Sequence, residues 1–325
     1  MTQVSPEATQ NAQDSFELTV QAVDTVAEGI LALTLGHEEG TPLPCWEPGA
    51  HIDLVLDNGL IRQYSLSSDP LDRSHWRLGI LREPESRGGS AYIHDHLTPG
   101  TRLGVRGPRN NFPLVDAENY LFIAGGIGIT PLLPMIARVE SSIADWTLLY
   151  GGRTMTSMAF RDELAGYGRK VILRPQDEHG LLDIDGFLAS TSGPTAVYCC
   201  GPETLIAAVE TACEAHEHID LHVERFAPKD TVDSALNTAF EVECTSSGIT
   251  LQVPTDKSIL EVAREAGIEI MSSCSEGTCG TCETDVIDGT PDHRDSILTP
   301  AEREANESIM VCVSRCHGKK LVLDL

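Results

Sequence analysis

The sequence predicts a multidomain protein of mixed α+β and α/β class. Three observations carry this. Short strand-like runs broken by Pro, Gly, Asp and Asn fill residues 16–113, apolar runs alternate with helical stretches over 114–227, and strands return over 239–325 around a set of spaced cysteines. A chain of 325 residues accommodates two or three domains of ordinary size. Its hydrophobic content of 41% and charged content of 22% are those of a soluble globular protein.

In the first segment, runs at 16–20, 51–56 and 76–81 separated by turn residues predict a small antiparallel barrel. One helix is expected at 90–97, ended by the turn Thr98-Pro99-Gly100. In the second segment, runs at 120–124, 146–150, 171–173 and 196–199 are apolar throughout, as strands buried on both faces are. Helical stretches such as 131–141 and 202–216 lie between and after them, the pattern of a parallel α/β sheet. In the third segment, 240–244, 249–253 and 321–325 read as strands. Ser258 there starts a helix at 259–266 that Gly267 stops. Residues 228–238, polar and aperiodic, are expected to be a linker, and 1–15 a disordered tail.

Four cysteines carry the most specific chemistry. Cys274-Ser-Glu-Gly-Thr-Cys279-Gly-Thr-Cys282 is followed after a long gap by Cys312, and C-x4-C-x2-C…C is the spacing of a plant-type [2Fe-2S] site. Zinc ligands pair more usually as two separate C-x2-C knuckles. Gly277 and Gly280 suit a loop that must turn left-handed around a cluster. By spacing alone, Cys316 competes with Cys312 as the fourth ligand.

Two weaker motifs precede them. Arg62-Gln-Tyr64-Ser65 falls on a barrel strand, and Arg87-Gly88-Gly89-Ser90 falls where a loop enters a helix. Glycine-freed amides at a helix N-terminus, with a guanidinium and a hydroxyl, cradle a phosphate. Arg62 adds a second guanidinium, and Tyr64 a ring to lie against a planar cofactor. A Gly-Gly pair alone is more often a plain turn, so the two motifs count together.

Gly125-Gly126-Ile-Gly128-Ile-Thr130-Pro131 follows a buried strand and opens a helix, where glycine amides would meet a pyrophosphate. Pro131 replaces the third glycine of the full dinucleotide fingerprint, and a tight packing turn explains the stretch as well. Cys200-Gly201-Pro202 ends a later strand. Ligands of open α/β sheets bind at the carboxyl ends of strands, so both loops are expected to face one crevice. Cys200 suits a small buried hydrophobe as well as a ligand contact.

A net charge of -26 argues against nucleic-acid and anionic-membrane partners. Residues 120–137 are apolar enough to raise a membrane span, but Gly125, Gly126, Gly128, Pro131 and Pro134 interrupt them, and a buried strand followed by a helix is expected instead. Residues 1–15 have no basic n-region and no apolar h-region. Ten cysteines without a secretion signal point to a reducing compartment, the cytoplasm.

With these motifs in hand the chain resembles the phthalate dioxygenase reductase family over about residues 16–325. Asp292-His-Arg-Asp295 and Met310-Val-Cys312-Val-Ser-Arg315 match it too. The resemblance implies a Greek-key FMN barrel at 16–113, an NAD domain at 114–227 and a β-grasp plant-type ferredoxin at 239–325. It implies that Arg62, Arg87, Gly88, Gly89 and Ser90 hold the flavin phosphate and that Tyr64 and Ser65 flank the isoalloxazine. Gly125, Gly126, Gly128, Thr130, Pro131, Gly201 and Pro202 would line the nucleotide crevice, with Cys200 beside the nicotinamide. Phe226 would cover the flavin until nicotinamide displaces it, so Ser65, Cys200 and Phe226 form the expected catalytic set. Relatives that use FAD lack the Arg-Gly-Gly-Ser loop, which favours FMN. The family pattern favours Cys312 over Cys316 as ligand.

The function so implied is the reductase component of a Rieske-type oxygenase, passing electrons from NADH through FMN to the [2Fe-2S] cluster and on to the terminal oxygenase. Plant-type clusters lie near about -400 mV and Rieske centres begin near about -150 mV, so transfer runs downhill. Docking is expected to be transient and electrostatic, through Glu276, Glu283, Asp285 and Asp288 around the cluster loop, although a solvated charged face explains them too. NADH rests on the family alone, since Arg153 and Arg161 follow the second strand where a 2'-phosphate would lie. A reductase for a cytochrome P450 and a non-enzymatic redox sensor are the rival readings.

Overall fold

The computed structural model describes residues 15–83, 88–191, 193–228 and 237–325. All but the last residue of the expected tail, most of the expected linker and Arg87 lie outside them.

The first sheet holds β1 (Phe16–Ala27), β2 (Ile30–Gly36), β3 (His51–Val55), β4 (Ile61–Ser65), β5 (Trp76–Leu81) and β6 (Arg102–Arg109). Their spatial order is β4-β3-β6-β1-β2-β5, all neighbours antiparallel. A bridge between Leu66 and Leu78 joins the two edges and closes the barrel. Leu33, Leu35, Ile52, Leu54, Leu78 and Ile80 fill its interior from alternate positions along the strands. Strand β1 runs well past the five residues expected, because register shifts at Val20/Ala22 and Thr25/Ala27 carry it through polar positions. Helix α1 (Gly89–His96) follows β5.

The second sheet is wholly parallel. It comprises β7 (Asn119–Gly125), β8 (Asp145–Gly152), β9 (Val171–Pro175), β10 (Thr195–Cys200) and β11 (Ile219–Glu224), in the order β11-β10-β7-β8-β9. Around it lie α2 (Leu132–Glu140), the short helices α3 (Arg161–Leu164), α4 (Gln176–His179) and α5 (Ile184–Leu188), and α6 (Glu203–Cys213). Phe122, Tyr150 and Tyr198 feed the core on one face, and Ile123, Val197 and Cys199 the core on the other, so the central strands are apolar throughout. The apolar run at 120–137 resolves into β7 and α2, and no helix among the described residues is long and apolar enough to cross a membrane. Strand β11, unread in the sequence, is an edge strand whose Ile-Asp-Leu-His-Val-Glu alternates because only part of it is covered.

The third sheet mixes directions. In the order β13-β12-β18-β14-β16 it sets β12 (Phe240–Cys244) parallel to β18 (Lys320–Leu323) and antiparallel to β13 (Ile249–Val253). Strand β14 (Glu283–Asp288) lies antiparallel to both β18 and β16 (Ser308–Met310). A two-stranded ribbon, β15 (Pro291–Asp292) with β17 (Arg315–Cys316), stands beside it. Helix α7 (Ile259–Glu265) starts with a Ser258–Glu261 capping box and buries Ile259, Leu260 and Ala263 against the sheet, and α8 (Pro300–Ala305) precedes β16. This is the β-grasp arrangement.

Candidate functional site

The cluster loop lies between α7 and β14. Ser275, Gly277 and Gly280 all have φ near +60 to +70°, at 56°, 73° and 72°. At Gly277 a Cβ would also stand 2.9 Å from the Cα of Asp295, so the turn needs glycine twice over. These turns aim backbone amides at sulfur: Glu276 and Thr278 donate to the Cys274 Sγ at 3.3 and 3.4 Å, and Cys274 donates to the Cys279 Sγ at 3.5 Å. The thiols interact as Cys274 with Cys279 and Cys282 with Cys312, joined by Cys274 with Cys312. Hydrogen bonds from Cys279 and then Cys312 hold the Cys274 thiol far below its ordinary range. Four thiols chained in this way suit a two-iron cluster. Cys316 is engaged elsewhere: its Sγ accepts from Gly318 N at 3.1 Å and lies 3.5 Å from the Lys320 carbonyl.

A cleft opens directly beside this loop. Ile61, Arg62, Gln63 and Ser65 of β4 line it with His51 of the barrel, Glu224 and Phe226 from the end of the parallel sheet, and Cys274, Glu276 and Thr278 of the cluster loop. All three sheets therefore contribute a wall. Arg225 builds the middle wall. Its buried guanidinium bonds Glu203 at 2.8 Å and Glu210 at 2.7 Å, pinning the segment to α6 while its neighbours Glu224 and Phe226 face the cleft. Phe226 is 43% exposed. The Ser65 hydroxyl donates to Glu224 Oε2 at 3.3 Å. Glu224 keeps some solvent contact at the mouth of the cleft, yet protein crowds it on every side, and that burial pushes its carboxyl up to about 8. Burial and then the Arg109 guanidinium hold His51 down to about 3, a neutral imidazole.

Unsatisfied polar atoms in the cleft fit a flavin. Gln63 Nε2 and His51 Nε2 are buried without a partner among the described residues, and both side chains line the cleft. A polar planar group seated there would satisfy them. On the far side of Arg62, Gly88 caps α1 with φ 87°, and no acidic residue stands in that helix's first turn. A Cβ at Gly89 would lie 2.4 Å from Arg62 Nε, so glycine lets the guanidinium lie over the helix N-terminus. The Ser90 hydroxyl oxygen accepts from Glu83 N at 3.1 Å. Arg87, expected here, lies outside the described residues. Tyr64, beside Ser65, packs partly buried on the margin of the barrel core and is not among the residues that line the cleft.

The two glycine loops of the parallel sheet meet where its order reverses, at the carboxyl ends of β7 and β10. They touch closely. A Cβ at Gly128 would lie 2.2 Å from the Cys200 carbonyl oxygen, and one at Gly125 2.6 Å from Pro202, so part of the glycine requirement is loop-to-loop packing. Gly126, with φ 56°, starts a short 3-10 turn, and Pro131 caps α2. The Thr130 hydroxyl donates back to the Ile127 carbonyl, and its methyl faces Gly79 of the barrel. Cys200 is fully buried, and burial followed by Glu224 raises its thiol far above the usual range, so it is a neutral thiol. Glu224 sits beside it in register on β11. Sequence reasoning missed Glu224 as a site residue. Its only signal was its place two residues before Phe226.

Barrel, nucleotide sheet and cysteine loop around one cleft define an electron-transfer reductase with a flavin and an iron–sulfur centre. Residues 242–317 match the family described as the 2Fe-2S iron-sulfur cluster binding domain. The chain is 38% identical over 325 residues to the phthalate 4,5-dioxygenase oxygenase reductase subunit of Pseudomonas putida, covering 98% of this chain and 99% of that one. The solved structure of a phthalate dioxygenase reductase, described as a modular structure for electron transfer from pyridine nucleotides to [2Fe-2S], superposes with a TM-score of 0.71 at 35% identity. That match covers 96% of this chain and 98% of the other. The full-length P450 CYP116B46 of Tepidiphilus thermophilus matches all of this chain at 42% identity and a TM-score of 0.82, and this chain spans 44% of it. The chain belongs to the phthalate dioxygenase reductase family, and so to the oxidoreductases that carry electrons between a pyridine nucleotide, FMN and a [2Fe-2S] cluster. Oxygenase reductases are its relatives, and an oxygenase is its partner.

Proposed function

We propose that this chain is the reductase component of a cytoplasmic Rieske-type oxygenase system and that the three-walled cleft is its flavin site. The observation that carries the reading is the cleft itself, where Ser65 of the barrel, Glu224 and Phe226 of the nucleotide sheet and ligand Cys274 of the cluster loop share one cavity. The chemistry supplied by the bound groups is hydride acceptance from NADH at FMN and one-electron transfer to the [2Fe-2S] centre.

The chain's own part is to bind and orient. Arg62 with Gly88, Gly89, Ser90 and Arg87 holds the FMN phosphate at the start of α1. Ser65 orients the ring edge, and Glu224, held to Ser65 and poised near neutral pH, keeps a proton beside it. Gly125, Gly126, Gly128, Thr130, Pro131, Gly201 and Pro202 shape the crevice for NADH, with the small neutral Cys200 at its floor. Phe226, exposed at the mouth, shields the ring until nicotinamide takes its place. Cys274, Cys279, Cys282 and Cys312 hold the irons. Acidic residues around the loop, Glu276, Glu283, Asp285 and Asp288, steer the oxygenase to the cluster.

Anaerobic mixing with NADH tests this: flavin absorbance is expected to bleach first and cluster absorbance second. Extracted flavin should be FMN, and NADPH should react far more slowly. Cys312→Ser should abolish the cluster bands while Cys316→Ser keeps them, and the reverse result would sink the ligand assignment. The likeness to a P450-fused reductase favours a P450 as the second candidate acceptor. Electron delivery to a purified Rieske oxygenase and to a P450, compared side by side, separates the two.

A further inference from the structure

The barrel does more than form one wall of the cleft: it grips the cluster loop at two points. Asp53, on β3 and fully buried, accepts two hydrogen bonds on one carboxylate oxygen, from Arg109 Nη2 and from Ser273 Oγ, both at 2.8 Å. Arg109 belongs to the barrel, and Ser273 immediately precedes the ligand Cys274. At the rim, Asn111 Nδ2 donates to the carbonyl of the ligand Cys279 at 3.1 Å. Gly280 permits that approach, since a Cβ there would already lie 3.0 Å from the same nitrogen. Asn111 is itself held in place by Asn110, which bonds Pro48 O and Phe112 N.

The buried point is costly by design. Asp53 Oδ2 and Arg109 Nε and Nη1 have no partner among the described residues. A buried ion pair with unmet atoms is a poor source of stability against an apolar pair of the same volume, and the best-attested use of such pairs is to fix register. Here the register fixed is between two sheets more than 200 residues apart in the chain, as Asp53 and Ser273 are separated by 220 positions.

We propose that Asp53 and Asn111 are positioning residues that clasp the cluster loop onto the flavin barrel, and that this clasp sets the rate of flavin-to-cluster transfer without touching the hydride step. This rests on the reading of the cleft as the flavin site. Ser273→Ala and Asn111→Ala remove the two contacts while leaving the Asp53–Arg109 pair and every ligand in place. One hydrogen bond to a carboxylate and one between neutral groups are together worth about tenfold or more in an equilibrium constant.

The test is anaerobic mixing of the double variant with NADH, alongside amide hydrogen exchange of the whole protein. We expect an unchanged flavin phase, a cluster phase slowed about tenfold, and faster exchange confined to residues 273–280 with β12 and β18 protected as before. Ser273→Thr in place of Ser273→Ala should restore most of the rate. Cluster reduction within twofold of the unsubstituted protein overturns the clasp, as does a parallel loss of flavin phase and core protection, which would mark a folding role. If NADH bleaches no flavin in the unsubstituted protein, the reading of the cleft falls and the proposal with it.

Discussion

Two arginines near the same cleft, Arg225 buried and Arg109 half-buried, are treated oppositely. Arg225 meets Glu203 and Glu210 with its guanidinium, all three from one domain, and its carboxylate partners keep about a third of their surface in water. Among the described residues Arg109 has one bond to a fully buried Asp53 and two nitrogens unmet, at the seam between domains. The saturated pair is an anchor: it fixes where Glu224 and Phe226 point. The unsaturated pair is a locator, retained where exact placement of a neighbour outweighs its own energetic shortfall. Burial alone does not reveal what a charge is for; the count of satisfied atoms does.

The comparison is broken most sharply by Arg225→Ala. It should destabilise the protein by about 2–3 kcal/mol in urea unfolding, because charge-assisted hydrogen bonds are lost together, and it should slow flavin reduction by NADH as Glu224 and Phe226 lose their support. Replacing the other pair whole, Asp53→Leu with Arg109→Met, should change stability by less than about 2 kcal/mol in either direction, yet slow cluster reduction. Equal losses of stability in the two experiments would erase the distinction between anchor and locator.

A smaller effect concerns the wall that Arg225 supports. Glu224 has a folded pKa raised from 4.5 to about 8 by burial, so its contribution to stability is complete below pH 4.5 and is lost as pH rises through 8. Glu224→Gln should therefore flatten the decline in melting temperature between pH 5 and pH 8, while the unsubstituted protein declines. The smallest effect is expected at Cys316, buried in the core of the cluster domain, where Ser should cost about 1 kcal/mol, since the new hydroxyl keeps the Gly318 amide and the Lys320 carbonyl as partners. Thermal unfolding of that variant checks it.

Much of this was legible in the sequence because it is local. The apolar runs that became β7, β8 and β10 are buried on both faces, and the cysteine spacing is read within nine residues plus one distant partner. What stayed hidden acquires meaning only through tertiary contact. Nothing near Asp53 in sequence announces that Ser273 will meet it, and Asn111 reads as a turn residue until Cys279 is set beside it. Glu224 looks like one more acidic residue on an alternating edge strand until the cleft is seen. The glycines at 125 and 128 were read for phosphate contact, and the structure adds a second demand on them, the close meeting with Cys200 and Pro202.

The mixed sheet of the cluster domain has a consequence for how the protein is made. Its central strand, β18, pairs in parallel with β12, yet some seventy-five residues separate them, and all four cysteines proposed as cluster ligands lie in between. Translation delivers the N-terminal parts first. The ribosome therefore exposes every ligand thiol before the strand that completes their scaffold has emerged. Iron–sulfur loading then follows closure of this sheet or templates it.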